Sequence, residues 1–207
     1  MLVSLALLGF GVGGTLLASF PGLARRLARR DRLAQLAAGF ALTVPGSYWV
    51  LNYFPFDSFR IAWDATQIGR LVVNFLALAV PFCLVGVVVG ALLAVHPERS
   101  HRLYGANLVG SALGSGLALI VPVWFGGEGV VLGSAWLGAL ASVILIQAGR
   151  GKQKDEGVRR RAESAFSFHL YACLLLLILS AGLIWPPDLL TLRLSEYKPL
   201  PRMRQLP

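Results

Sequence analysis

The chain has 207 residues, 56% of them hydrophobic and only 14% charged, where an ordinary soluble domain is roughly 45–50% apolar and about 25% charged. So few charges could not keep that much apolar surface in water, which argues against a soluble globular domain. The formal charge of +9 would suggest nucleic acid in a soluble protein, but here the basic residues fall in clusters between apolar runs, so no nucleic-acid partner is expected.

Taken in order, the apolar runs predict an all-α, polytopic bundle of about six membrane-spanning helices over residues 1–186, at 1–20, 33–52, 70–95, 103–124, 129–148 and 166–185. The first run opens directly at Met1, without the basic stretch and cleavage pattern of a signal peptide, and is read as a retained span. It contains Gly9, Gly11 and Gly14 in G-x-G-x-x-G spacing, with Asp31 downstream. A dinucleotide fingerprint needs a strand before the glycines and a soluble helix after them. Inside an uncharged apolar run the glycines instead suit close helix packing, with Gly9 and Gly13 on one face.

Arg25, Arg26, Arg29, Arg30 and Arg32 follow, then a second span interrupted by Gln35, Thr43, Pro45, Ser47 and Asn52. The segment Tyr53 to Arg70 (YFPFDSFRIAWDATQIGR) is the richest candidate site. Read as a helix, it puts Asp57, Arg60, Asp64 and Gln67 on one face and Phe56, Phe59 and Trp63 on another. Such a helix would lie in the membrane interface, either as a self-neutralising solvated segment or as a polar lid offering two carboxylates to a cation. The third span carries Asn74, Pro81 and a Gly86/Gly90 pair, and the fourth carries Asn107 beside a longer small-residue stripe, Ala106, Gly110, Gly114 and Ala118.

Lipid supplies no hydrophobic drive between helices, so flat small-residue faces must hold them together. The fourth span is accordingly expected at the centre of the bundle, with a homo-oligomer seam as the lesser use of its stripe. The amides of Asn74 and Asn107 should face protein or water, as interhelical hydrogen bonds or as part of a solute path.

His96, Glu98 and His101 lie around Pro97 in a short basic loop and read as a solvated turn, not a metal site. Cys83 and Cys173 fall inside apolar runs and do not form a disulfide framework. No catalytic, cofactor-binding or metal-ligating set is visible, and no cofactor is expected. Thirteen of the nineteen Lys and Arg residues lie in the first, third and fifth loops. The positive-inside rule then puts those loops in the cytoplasm, and the N-terminus, the 54–69 loop and the basic tail outside.

Three stretches carry a family resemblance: LALLGFGVGGTLL near the start, PFCLVG together with YGANLVGSALGSGLAL, and LRLSEYKPL near the end. Together they resemble the integral-membrane region of spermidine-synthase-like proteins of bacteria, in which a multispan module precedes an aminopropyltransferase-like domain. Ser195, Tyr197 and Lys198 look like the S-x-Y-K entry to that domain, so the tail 187–207 is similar to its beginning. The resemblance implies a multi-pass protein of the bacterial cytoplasmic membrane, with the bilayer and a C-terminal soluble domain as partners. The family's nucleotide and polyamine sites belong to a Rossmann-like segment that does not occur in these 207 residues. The expected function is therefore a non-catalytic membrane module, and the alternative is a small-solute transporter, with cations among the candidate solutes.

Overall fold

The computed structural model describes residues 2–150 together with Tyr171, Leu174, Leu175, Ile178, Leu179 and Ser180. The basic loop after Arg150, most of the sixth expected span and the tail with Ser195, Tyr197 and Lys198 lie outside the described residues. The described chain is all-α: α1 (Leu2–Ser19), α2 (Pro21–Leu27), α3 (Arg30–Tyr53), α4 (Thr66–Val95), a 3₁₀ turn (Pro97–Arg99) and α5 (Ser100–Arg150). Two helical stretches are long and apolar enough to cross a membrane, Thr66–Val95 and Pro97–Gln147, while the apolar stretch of α1, Ser4–Ser19, is shorter.

The 51 residues of α5 would measure about 75 Å if straight, at about 1.5 Å per residue, more than twice the ~30 Å hydrocarbon core of a bilayer. They are not straight. Gly126, at φ 68° and ψ −176°, interrupts the helical backbone, in a region open in practice to glycine alone. The expected boundary between a fourth span at 103–124 and a fifth at 129–148 thus falls at this kink, where two helices meet. Residues on both sides of it, among them Gly114, Ala118, Gly133 and Trp136, line a shared apolar groove of about 330 Å³.

Packing runs from α1 to α4, from α4 to α3 and from α3 to the second half of α5. The α1–α4 seam is built from two glycine pairs. A Cβ added at Gly9 would lie 2.6 Å from Phe82 Cβ, at Gly13 2.8 Å from the Val87 nitrogen, at Gly86 2.9 Å from Phe10 Cα and at Gly90 2.8 Å from Leu17 Cδ1. Rising numbers on one helix meet rising numbers on the other, so α1 and α4 run parallel. Helices α3 and α4 run antiparallel, Gly39 facing Leu84 and the Ser47 hydroxyl lying 2.6 Å from the Ala77 carbonyl.

The α3–α5 seam is also antiparallel. Ala34, Ala41, Ala135, Ala139 and Ser142 are fully buried there, Gly138 packs under the Phe40 ring and Ser142 Oγ donates to the Ala34 carbonyl at 2.9 Å. Leu132 and Leu179 close the same apolar cluster, and Trp136 Nε1 donates to Ser180 Oγ at 3.0 Å.

The first half of α5 is placed differently from the expectation of a central helix. Ala106, Gly110, Gly114 and Ala118 are exposed, and a Cβ at Gly110 or Gly114 meets nothing among the described residues. Among the described residues the inner positions are held by α3 and α4, while Gly114 and Ala118 line the groove shared with the second half of α5.

Candidate functional site

The segment between α3 and α4 is not a helix. Helix α3 ends at Tyr53 and α4 begins at Thr66, and the intervening residues form turns, with Arg60 N–H reaching the Asp57 carbonyl and Asp64 N–H the Arg60 carbonyl. The expected continuous interfacial helix is thus corrected. Pro55 and the local bonding of two aspartates explain it, because aspartate side chains that bond backbone two residues on favour turns over helix. Asp57 Oδ1 accepts from Phe59 N–H at 3.0 Å. Asp64 Oδ1 accepts from both the backbone N–H and the hydroxyl of Thr66, at 3.0 and 2.6 Å.

The four polar residues nevertheless meet, through Gln67. Its side chain is buried, its Oε1 accepts from Asp57 N–H at 3.2 Å and its Nε2 donates to Asp64 Oδ2 at 3.1 Å. Arg60 Nε lies 3.6 Å from Asp57 Oδ2. The Thr66 hydroxyl, then Gln67 and the Thr66 N–H, hold the Asp64 carboxyl below the usual carboxylate range. Most acceptor capacity of the two carboxylates is therefore used inside the loop, which is knit as a self-contained cap.

Asn74 joins the same end of the bundle by donating from Nδ2 to the Phe54 carbonyl at 2.9 Å, while its Oδ1 is buried without a hydrogen bond. Asn107 is half-buried on the first half of α5; no hydrogen bond joins it to the 54–67 cap.

A second polar group at this end was not singled out from the sequence. The Tyr48 hydroxyl and Asn52 Nδ2, one turn apart on α3, are buried without a hydrogen bond of good geometry. The Glu128 carboxylate and the Asn52 side chain both lie close enough to that hydroxyl to interact with it. Glu128 Oε2 also folds back over the Gly126 backbone, 2.9 Å from where a Cβ would be. Glu128 is the one carboxylate between His101 and Gln147, and that isolation in an apolar run is the signal from which the group could have been found. Exposed aromatics are found on the α3 end, the 54–65 loop and the centre of α5: Trp49 stacked on Tyr53 at 5.4 Å, with Phe59, Trp63, Trp124 and Phe125.

Among the described residues no group of three His, Cys, Asp or Glu side chains is placed to hold a metal ion. His96, Glu98 and His101 form no such group. The chain matches no protein-family model, no curated protein and no solved structure.

Proposed function

We propose that the chain is the multi-pass, membrane-embedded helical module of a spermidine-synthase-like protein of the bacterial cytoplasmic membrane, itself without catalytic chemistry. The observation that carries the membrane orientation is the unlike character of the two ends of the described bundle. One end gathers Arg25, Arg26 and Arg29, all exposed, after α1; the other gathers exposed Trp49, Tyr53, Trp63, Trp124 and Phe125. Arginines mark cytoplasmic ends and aromatic belts mark interfaces. The parallel course of α1 and α4 and the antiparallel course of α3 agree with an outside N-terminus and an outside 54–65 loop. The seams use small residues and hydroxyl-to-carbonyl bonds, as packing inside lipid requires. The enzyme connection rests on the three resembling stretches.

Cysteine labelling tests the orientation. In a background lacking Cys83 and Cys173, a cysteine at Ser58 is expected to react from outside and one at Gln153 from inside; reaction of both from one side overturns it. For the module role, the reading frame beyond codon 207 is expected to encode a Rossmann-like domain, and the purified 207-residue chain is expected to transfer no aminopropyl group.

One observation favours a second reading, transport of a small cation: the Glu128 carboxylate makes no ion pair among the described residues and lies close to the Tyr48 hydroxyl, which lacks a well-formed bond. Carboxylates inside spans commonly mark ion paths. Loss of cation uptake into proteoliposomes on Glu128→Gln, with folding retained, would support it, and absence of uptake by the parent protein would dismiss it.

A further inference from the structure

Helix α2 is short, and its two sides are unlike. Leu23, Ala24, Leu27 and Ala28 pack on Leu17 of α1 and Ala91 of α4, so α2 is fixed across the end of the α1–α4 seam. Arg25, Arg26 and Arg29 are exposed on the other side. Between the end of α1 and α2 opens a cleft of about 520 Å³ lined by Ser19, Phe20, Gly22, Leu23 and Arg26.

Its lining is mixed in one specific way: an apolar wall, with Phe20 itself 60% exposed, and a guanidinium at the rim. Within residues 21–35 of the sequence five arginines stand against one acid, Asp31, and Arg25, Arg26 and Arg29 are exposed beside the cleft. The local field is therefore strongly positive, and the cleft lies where the first apolar run ends.

We propose that this cleft is a binding site for an anionic phospholipid, with the phosphate taken by Arg26, Arg25 and Arg29 forming the field around it, and acyl or glycerol carbons lying on Phe20 and Leu23. The proposal rests on the reading that α1 and α4 lie in a bilayer. A free phosphate would use the guanidinium but not the exposed ring, and a nucleic acid would find one arginine beside an apolar wall instead of an open basic face. An amphiphile matches both halves of the cleft. Juxtamembrane arginines gain about 1 kcal/mol each from anionic lipid surfaces, so the effect of one is measurable.

The test uses the purified 207-residue chain in neutral detergent. Thermal unfolding is followed against short-chain phosphatidylglycerol, the matching phosphatidylcholine and inorganic phosphate, and membranes containing the chain are separately washed with alkaline carbonate. Phosphatidylglycerol is expected to raise the melting temperature and phosphatidylcholine to do so much less. Arg26→Gln is expected to raise the phosphatidylglycerol concentration for half the effect roughly fivefold, and Phe20→Ser is expected to raise it as well. Both side chains are exposed, so folding should tolerate the changes. Equal stabilisation by both lipids, an unchanged response in Arg26→Gln, or the same gain from inorganic phosphate would each overturn the proposal. Release of the chain by carbonate would instead overturn the membrane reading, whereas retention without lipid preference would remove the lipid site alone.

Discussion

At Gly126 the backbone takes φ 68°, and a Cβ there would also meet the Glu128 carboxylate. Gly126→Ala is expected to cost ~1–3 kcal/mol from backbone strain, read as a lowered melting temperature in detergent, with Gly116→Ala, where a Cβ meets nothing among the described residues, as the tolerated control. Asp64 gives a pH prediction. Its carboxyl is held below the usual range by Thr66 and Gln67, so the loop stability it contributes is fully present at neutral pH and is lost as acid takes the pH down through the lowered value. The protection of the Thr66 and Gln67 amides, measured against the intrinsic exchange rate at each pH, should therefore fall in acid, and Asp64→Ala should lower it already at pH 7. The polar residues of this loop were legible by type but not by arrangement, because reading a helix through Pro55 assigned them a shared face. Tyr48, Asn52 and Glu128 were harder to find: the contact joins residues about 80 apart in the chain, and no local spacing carries it.

Among the elements, the two glycine pairs of α1 and α4 lie at a close helix contact, whereas on the longer α5 stripe a Cβ at Gly110 or Gly114 meets nothing among the described residues and Gly114 and Ala118 line an open groove. Gly13→Leu should drive a side chain into the α4 backbone, with an overpacking cost of about 1–3 kcal/mol seen as lower folded yield and melting temperature. Gly110→Leu is expected to leave the melting temperature of the monomer unchanged, since a Cβ there meets nothing among the described residues. Equal losses in both variants would mean that the α5 stripe is packed as tightly as the α1–α4 seam. The spacing rule identifies faces able to pack closely, but it does not say which of them find a partner. Ala34, Ala41, Ala135, Ala139 and Ser142 form the second seam and carry the same four-residue interval in part, yet alanine is common enough in helices to hide it.

For the molecule as a whole, the helical class and the main apolar stretches were readable from composition and run length, and the described chain contains helices and no strand. The kink at the centre of α5 was readable as a gap in apolar character near Gly126–Gly129, and the non-helical Gly126 lies there. Which helices touch was not readable, because lipid-facing and protein-facing sides are both apolar and periodicity alone does not tell them apart. A cysteine pair replacing Leu17 and Gly90, whose atoms approach within 2.8 Å when a Cβ is placed, is expected to cross-link in membranes. Failure to do so while Gly39Cys–Leu84Cys cross-links would dismiss the parallel neighbour and keep the antiparallel one.

The parallel contact of α1 with α4 also fixes an order of events during synthesis. Gly13 meets Val87, a residue made 74 positions later, and at about 5–20 residues per second that delay is on the order of several seconds. Throughout it the glycine face of α1 has no native neighbour, while α3 is made and waits for partners of its own. A ribosome stalled before Gly86 emerges would hold α1 where the insertion machinery, lipid or a chaperone must cover it. Helix α1 is thus among those whose packing completes only after a much later segment arrives.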